Sequence, residues 1–328
     1  MIKICFFGMG SIGKKHLKNL VKILNERKIE FEIDVVKRKK ELDKEVKEYI
    51  NNIYRIDEFI PSFYNIVFIV NDTSVHIETL NLMKDYSDNF FIEKPLSLNL
   101  SGFELKDYRN KKIYIACPMR YSSVMDYLKK KVDFAKVYSV RAICSTYLPD
   151  WRPKVDYRNN YSAKKELGGG VTLDLIHEWD YLTYLLGFPE KIFNLNKKVS
   201  HLEINSDDLS IYIADYRDKL VELHLDYFGR TPTRKVEFFL KEGTIVGDFI
   251  ENSIILENKE KIILPKEDVY IKEMNNFLNI IFDKKDNFND LEQAYKVLKL
   301  IKGEVETNES FNYYLWKSWF KRSRKQKF

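Results

Sequence analysis

A glycine-rich turn near the amino terminus is the first feature of this chain that could do chemistry. Residues 8–13 read Gly-Met-Gly-Ser-Ile-Gly, after a β-prone run at 2–7 and before a segment whose apolar residues recur at helical spacing. In a dinucleotide-binding fingerprint the first glycine permits the tight turn, the second lets the backbone approach a pyrophosphate, and the third allows close helix packing. The helix N-terminus also favours an anion. The predicted dinucleotide contacts here are Gly8, Gly10, Ser11, Ile12 and Gly13; a purely structural glycine turn is the alternative.

A second motif, Glu93-Lys94-Pro95, closes a later apolar strand. Together with the glycine turn it suggests hydride transfer. An ammonium beside a reacting alcohol can stabilise developing oxyanion character and lower the pKa of a nearby acid or base. Taken alone, Lys94 could equally be a solvated lysine after an edge strand.

An aspartate and a histidine follow three glycines at 168–170. Asp174 and His177 lie three residues apart, so on one helix they would share a face. A carboxylate there can fix the imidazole tautomer while the other ring nitrogen faces a substrate. The pair suits a general base for alcohol oxidation, or a general acid for ketone reduction. Asp180 competes for the partner role, and Asp174 could instead cap or pack a helix.

Alternating strands and helices precede residue 118. Strand candidates lie at 2–7, 31–36, 66–70, 90–92 and 113–116, with helical segments after the glycine turn, around 42–50 and around His76. The run at 66–70 is fully apolar, as in a strand covered on both faces of a parallel sheet. This order predicts an α/β fold, with a doubly wound parallel Rossmann sheet over residues 1–118.

The pattern changes after residue 118. Residues 136–147 alternate like a strand, 168–186 look helical, and runs at 208–216, 220–228, 235–240 and 253–256 favour antiparallel strands. Further helices are expected near 269–281 and 291–301. We predict an α+β open-sheet domain over 119–310 for substrate binding and oligomerisation, and a basic tail over 311–328.

Composition excludes several classes of protein. The 328 residues, 45% of them hydrophobic, suffice for two domains with sizeable cores. No segment approaches the roughly eighteen apolar residues that span a bilayer, so we expect a soluble, cytoplasmic protein without an integral membrane segment. The net charge of +6 equals the six basic residues at 317–328, where no acidic residue occurs. The body is therefore not a nucleic-acid platform; the tail is either a solvated helix end or a contact for an acidic surface or membrane.

The three cysteines, Cys5, Cys117 and Cys144, lie in or beside apolar strand-like runs. They show neither CxxC nor Cys/His spacing, so we expect reduced core residues and no metal site.

Taken in order along the chain, these motifs resemble those of the glucose–fructose oxidoreductase / inositol dehydrogenase (Gfo/Idh/MocA) family. The matching segments are 8–13, 70–76, Glu93-Lys94-Pro95, Arg120-Tyr121, and the glycines at 168–170 with Asp174 and His177. The resemblance covers nearly the whole chain. It implies an NAD(P)-dependent oxidoreductase for sugars, cyclitols and related compounds, with a Rossmann domain and an open-sheet domain through which a homodimer or homotetramer forms.

The resemblance also implies residue roles. Lys94 would reach both the nicotinamide ribose and the reacting hydroxyl, and His177 would transfer the proton. The family often spaces its aspartate and histidine by four, whereas this chain spaces them by three. Besides the glycine turn, the expected cofactor contacts are Lys37, Arg38, Asn71, Asp72, Thr73, His76, Glu93 and Lys94.

Cofactor choice depends on the end of the second strand. An Asp or Glu there usually binds the adenosine ribose, and a basic residue can accommodate a 2′-phosphate. Lys37 and Arg38 follow the strand, whereas Asp34 lies within it. The cofactor is therefore NADP or NAD, with NADP favoured; a solvated charge run is the alternative.

Substrate contacts are predicted in the loop at 147–153, which is rich in groups that stack on sugar rings or bind anions. Trp151 and Arg152 from this loop, with Arg120 and Tyr161, are the candidates. Trp151 could instead fill the core between the domains. Similar loops occur in family members associated with surface-polysaccharide and nucleotide-sugar metabolism.

The predicted reaction interconverts a secondary alcohol and a ketone on a sugar, cyclitol or nucleotide-linked sugar. A non-catalytic, NADP-responsive binding or regulatory protein of the same fold is the alternative. Lys94 and His177 favour the enzyme, because a sensor needs neither proton-handling group. Lyase or glycosidase chemistry through transient oxidation by tightly held NAD is a third hypothesis.

Overall fold

The computed structural model describes residues 1–99 and 103–304. In this range the chain forms two β-sheets with helices packed against them. The predicted tail at 311–328 lies outside the described residues.

Short apolar strands form the first sheet. They are β1 (Ile2–Phe7), β2 (Phe31–Lys37), β3 (Asn52–Arg55), β4 (Ile66–Ile69), β5 (Asn89–Ile92) and β6 (Lys112–Ile115). All neighbours pair in parallel, in the order β3-β2-β1-β4-β5-β6. All four residues of β4 are buried, because helices cover both faces of the sheet. The predicted Rossmann sheet is confirmed, with β3 as an additional strand.

The α-helices of the described residues are α1 (Ser11–Glu26), α2 (Lys44–Lys47), α3 (His76–Met83), α4 (Ser123–Lys131), α5 (Val171–Asp174), α6 (His177–Leu186), α7 (Val269–Phe282) and α8 (Leu291–Ile301). Helix α1 buries Leu17, Leu20 and Leu24, whose spacing forms one apolar stripe. The helix predicted around 42–50 is only the four residues of α2. The one predicted over 168–186 is divided into α5 and α6.

The second sheet contains β7 (Ser139–Tyr147), β8 (Lys191–Lys197), β9 (Leu209–Asp215), β10 (Leu220–Asp226), β11 (Phe228–Leu240), β12 (Gly243–Asp248), β13 (Ser253–Ile255) and β14 (Lys261–Ile263). Their order is β14-β13-β12-β11-β7-β10-β9-β8. The pairs are antiparallel as predicted, except that β7 and β10 are parallel. One face packs on the core that includes Trp179, while Ile211 and Ile213 of β9 point outward.

The last two helices link the sheets. Phe277 of α7 packs against Phe68 and Phe91 of the first sheet, with ring centroids 5.6 and 5.2 Å away. Leu298 of α8 lies in the core of the second sheet. The domain limits 1–118 and 119–310 stay a prediction.

The chain passes from the first sheet to the second at 116–122 and returns at 264–268. These two connections are adjacent, because Ser123 Oγ donates a hydrogen bond to the carbonyl oxygen of Pro265 at 2.6 Å. All three cysteines are buried and free, as predicted. Within the described residues, none of the helices combines the length and the apolar character that crossing a bilayer requires.

Candidate active site

The glycine turn leaves open space at the N-terminus of α1. Gly8 has φ +95, and a Cβ there would lie 2.7 Å from backbone atoms of Asn71. A Cβ at Gly13 would lie 3.1 Å from Val70 Cγ2, whereas one at Gly10 would meet no heavy atom within 4 Å. No side chain caps α1, and its first turn holds no acidic residue. The cradle therefore fits the diphosphate of a dinucleotide.

Cationic groups lie at the end of β2. Lys37 Nζ donates to the carbonyl oxygen of Glu41 at 2.6 Å. Arg38 Nη2 lies 3.0 Å from Asp72 Oδ2, with both side chains largely exposed. The Asp34 carboxylate accepts hydrogen bonds from Asn52 and Tyr64, each at 2.8 Å. The Asp34 carboxylate is therefore engaged in hydrogen bonds within the sheet, as its position inside the strand indicates.

The segment after β4 is held by His76. Its Nε2 and Nδ1 lie 3.1 Å from the carbonyl oxygens of Asn71 and Pro95. Burial lowers the pKa of His76, which is 1% exposed. This side chain therefore joins two loops, and its predicted cofactor contact stays a prediction. Asn71 lies against Gly8, and Thr73 begins a 3₁₀ turn over Thr73–Val75.

Glu93 ties the end of β5 to α1. Its Oε1 lies 2.5 Å from His16 Nε2, and its Oε2 accepts from the backbone N–H of Lys94 at 3.1 Å. Burial alone would raise the pKa of Glu93, but the bond to His16 and the neighbouring positive charges keep it below its ordinary value. Glu93 is buried and its carboxylate binds the backbone of Lys94, which it helps to position; its predicted cofactor contact stays a prediction.

Lys94 reaches across to the second sheet's helices. Its Nζ donates to the carbonyl oxygen of Asp174 at 3.1 Å, and the Lys94–Pro95 peptide bond is cis. His177, the first residue of α6, lines the same small cavity as Lys94. Burial and the charges of Lys94 and Arg234 hold the pKa of His177 well below its ordinary value. The structure thus brings Lys94 and His177 into one place with a neutral imidazole.

Asp174 does not pair with His177 as predicted. The helix breaks at 175–176, so the two residues end α5 and begin α6. The carboxylate instead accepts a hydrogen bond at 2.5 Å from the hydroxyl of Tyr227. Burial and this carboxylate raise the pKa values of both Tyr227 and Tyr161. Asp174 contributes its backbone to Lys94 and its side chain to the two phenols.

Asp207 fixes the turn before α5. Gly170 has φ +123, and a Cβ there would lie 2.2 Å from Asp207 Oδ1. Asp207 Oδ2 accepts from the backbone N–H and hydroxyl of Thr172, at 3.0 and 2.6 Å. Asp207, Tyr227 and Arg234 are the site residues missed from the sequence. The sequence placed these residues beside predicted strands, but that position did not indicate which groups they contact.

Aromatic residues lie near the Asp174 carboxylate. The Trp151 ring packs edge-on against the Tyr227 ring, with the ring centroids 5.3 Å apart, and Trp151 Nε1 donates a hydrogen bond to Thr146 Oγ1 at 2.5 Å. Tyr161 is 41% exposed, and the charge of exposed Arg152 acts on its hydroxyl. The structure therefore groups three of the four predicted substrate contacts, Trp151, Arg152 and Tyr161.

Arg120 lies elsewhere. It is 5% exposed, and its Nε and Nη2 donate to the two carboxylate oxygens of Asp180 at 2.9 and 2.8 Å. Its Nη1 donates to the carbonyl oxygen of Phe288 at 3.0 Å, and Tyr184 covers the guanidinium at 4.7 Å. The guanidinium and the Asp180 carboxylate are paired with each other, and the substrate contact of Arg120 and the partner role of Asp180 stay predictions.

In the part of the chain that the structure describes, no group of three or more His, Cys, Asp or Glu residues could hold a metal ion.

Comparison with known proteins gives the same fold. No family model matches the chain. A myo-inositol 2-dehydrogenase from Thermotoga maritima is 23% identical over 273 residues, which are 79% of this chain and 79% of that protein. An oxidoreductase structure from Thermotoga maritima superposes with a TM-score of 0.76 and 20% identity, covering 93% of this chain and 96% of that one.

The WlbA dehydrogenase from Bordetella pertussis, solved with NADH and UDP-GlcNAcA, has a TM-score of 0.74 at 14% identity. It covers 92% of this chain and 95% of its own. These structures establish the fold. By sequence and by fold, the chain is similar to dehydrogenases that act on inositols and nucleotide-linked sugars.

Proposed function

We propose that this protein is a nicotinamide-dependent dehydrogenase that interconverts a secondary alcohol and a ketone on a cyclitol or sugar. The observation that carries the proposal is that Lys94, whose Nζ donates to the carbonyl oxygen of Asp174 at 3.1 Å, and His177 line the same small cavity. The curated relatives, a myo-inositol and a scyllo-inositol dehydrogenase, support this class of substrate.

In the direction of oxidation, His177 accepts the hydroxyl proton of the substrate while the hydrogen on the same carbon leaves as hydride. The lowered pKa of His177, which follows from burial and the charges of Lys94 and Arg234, leaves the imidazole free to act as a base at neutral pH. The Lys94 ammonium stabilises the negative charge that develops on the substrate oxygen. A bound nicotinamide cofactor would supply the hydride acceptor. In reduction, His177 returns its proton to the ketone oxygen.

The turn at 8–13 and the N-terminus of α1 would hold the diphosphate of the cofactor. Gly10→Val should abolish dinucleotide binding, because the added side chain occupies the open space over the turn. Calorimetric titration of the folded variant tests this. An unchanged affinity for both NAD and NADP would contradict the assignment of this turn as the dinucleotide site.

NADP is the proposed cofactor because Lys37 ends β2 and Arg38 follows it. The Arg38–Asp72 pair is exposed, so Arg38 can leave it at little cost to meet a 2′-phosphate. Removing both charges as Lys37→Gln with Arg38→Gln should weaken NADP more than NAD by about 1.5–3 kcal/mol. The control, Lys39→Gln with Lys40→Gln, changes the net charge equally. Equal losses for the two cofactors, or a wild-type preference for NAD, would oppose the proposal.

The crevice residues Trp151, Arg152 and Tyr161 are proposed to bind the sugar-like substrate. An aromatic plane suits a sugar ring, and a guanidinium suits an anionic group such as a nucleotide diphosphate. A nucleotide-linked sugar in surface-polysaccharide metabolism is the finer proposal. Nicotinamide absorbance measured with inositols, free sugars and nucleotide-linked sugars, using both cofactors, discriminates among them. Trp151→Ala should raise KM for the true substrate.

The decisive test compares Lys94→Met and His177→Ala with wild type. Each should lower turnover by about 10²–10⁴ without a comparable loss of cofactor affinity. Lys111→Met is the matched control, since that ammonium binds Ser87 and Asp88 away from the crevice. A wild-type protein that binds cofactor but turns over none of the substrates would favour the regulatory alternative.

Assembly through the outer face of the second sheet is also proposed. This face exposes Leu195 and Ile213, each 53% exposed, and Ile211 at 38%. Burying such a patch favours a homodimer or homotetramer. Sedimentation analysis of Ile213→Lys should show dissociation, and Ile263→Lys at the far edge strand should not. Monomeric wild-type protein would contradict the proposal.

A further inference from the structure

The His177 ring has no direct orienting partner. Among the described residues no group donates or accepts a hydrogen bond at this ring, and the Asp174 carboxylate is bound to Tyr227 instead. A neutral imidazole presents a base at one nitrogen only when the other nitrogen carries the proton. Something other than Asp174 must therefore set the tautomer of His177.

A small cavity adjoins His177. Its volume is about 20 Å³, and its lining includes Lys94, Ala116, His177, Asp180 and Asn289. A single water molecule needs about 10–15 Å³ on this scale, together with two to four polar partners. The cavity is therefore the size of one water molecule and carries polar groups on its wall.

Asn289 contributes an acceptor without a protein partner. The residue is 1% exposed, and its Nδ2 donates to the carbonyl oxygen of Ile115 at 2.5 Å. That bond sets which end of the amide is the oxygen. Oδ1 is buried, and no group of the described residues hydrogen-bonds it. A buried acceptor in this state requires a donor, which a water molecule supplies.

Asp180 provides a second acceptor on the same wall. Both of its carboxylate oxygens accept from Arg120, but each oxygen has capacity for a further hydrogen bond. A water that receives the imidazole N–H can donate one hydrogen to Asn289 Oδ1 and the other to Asp180. Its two donor hydrogens and one acceptor position are then all used.

We propose that one buried water links the His177 ring to Asn289 and Asp180 and thereby fixes the imidazole tautomer. Asn289 and Asp180 are positioning residues that act through this water, and the nitrogen of His177 on the opposite side of the ring is left as the base. The catalytic role of this arrangement rests on the proposed dehydrogenase activity, whereas the hydrogen bonds themselves do not depend on that activity.

The ring tautomer can be measured directly. The chain contains five histidines, so ¹⁵N-histidine labelling gives few imidazole signals, and His177→Gln identifies that of His177. Wild type should show one dominant tautomer, with a magnetisation-transfer signal from water to the ring N–H. Asn289→Leu should lower the tautomer ratio about tenfold, the effect of losing one hydrogen bond.

Asn287→Leu is the matched control. Asn287 Nδ2 also donates to a carbonyl of β6, that of Ile113 at 2.7 Å, but Asn287 does not line this cavity. The control should keep the wild-type tautomer ratio. Ala294→Val, which fills the cavity from an apolar wall, should reproduce the effect of Asn289→Leu and serves if that variant does not fold.

An unchanged His177 tautomer ratio in Asn289→Leu or in Ala294→Val would overturn the proposal. The measurement needs neither substrate nor cofactor, so it separates this failure from failure of the proposed activity. If the dehydrogenase activity is found, Asn289→Leu should reduce kcat while KM stays within about twofold.

Discussion

Glu273 allows a quantitative test of how burial changes the ionisation of a carboxyl group near the site. This residue of α7 is 0% exposed. Its Oε1 accepts from the backbone N–H of Cys117 at 2.5 Å and from the Tyr114 hydroxyl at 3.3 Å, whereas its Oε2 has no partner. Burial, followed by the charge of Glu93, raises the pKa of Glu273 well above its ordinary value of 4.5. The folded protein therefore keeps Glu273 protonated where the unfolded chain ionises it.

The sign and size of the effect follow from proton linkage. With a raised folded pKa, the stability contribution of Glu273 is fully present below pH 4.5 and is lost as pH rises toward the folded value. One proton corresponds to about 1.4 kcal/mol per pH unit. Glu273→Gln retains the acceptor oxygen and removes the ionisation. The free energy of unfolding of the variant, relative to wild type, should therefore increase with that slope above pH 4.5.

Urea unfolding of both proteins at several pH values between about 5 and 8 measures this slope. Glu267→Gln is the control, because the Lys272 ammonium lowers the pKa of Glu267 and its contribution is constant over that window. A difference between Glu273→Gln and wild type that does not change with pH would refute the inference that this carboxyl is neutral when folded.

Three further substitutions test individual contacts by urea unfolding. Tyr227→Phe removes the hydrogen bond to the Asp174 carboxylate and should cost about 1.5–3 kcal/mol; a loss near zero would mean that the carboxylate finds another donor. Asp180→Ala leaves the buried Arg120 guanidinium unpaired and should cost about 3–5 kcal/mol, unlike the double variant in which Arg120→Met removes the charge as well. Gly170→Ala places a Cβ 2.2 Å from a carboxylate oxygen at φ +123 and should cost at least about 1–3 kcal/mol, so wild-type stability would contradict the described turn.

Local patterns were sufficient for the nucleotide side of the molecule. The glycine turn between β1 and α1 and the apolar run of β4 depend on neighbours in sequence, so spacing and composition identify them. Strands β3, β8, β12 and β14 were missed. Asn52–Arg55 and Lys191–Lys197 are rich in polar residues, whereas Gly243–Asp248 and Lys261–Ile263 contain only a short apolar run.

The sequence could not show which residues pair with each other when they lie far apart in the chain. Arg120 is a charged residue after a strand, as a substrate contact would be, but its partner Asp180 lies sixty residues away. The helix break between Asp174 and His177 is another example, because Leu175 and Ile176 are compatible with a continuous helix. Tertiary packing decides both.

The adjacent connections at 116–122 and 264–268 are joined by the Ser123–Pro265 hydrogen bond, so the chain leaves the first sheet and returns to it at one place. Lys94 follows β5 of the first sheet, whereas Asp174 ends α5, which packs against β9 and β10 of the second sheet. The 3.1 Å contact between Lys94 Nζ and the carbonyl oxygen of Asp174 therefore spans both sheets. A displacement of one sheet relative to the other would change this distance, and with it the position of the ammonium in the cavity that it shares with His177.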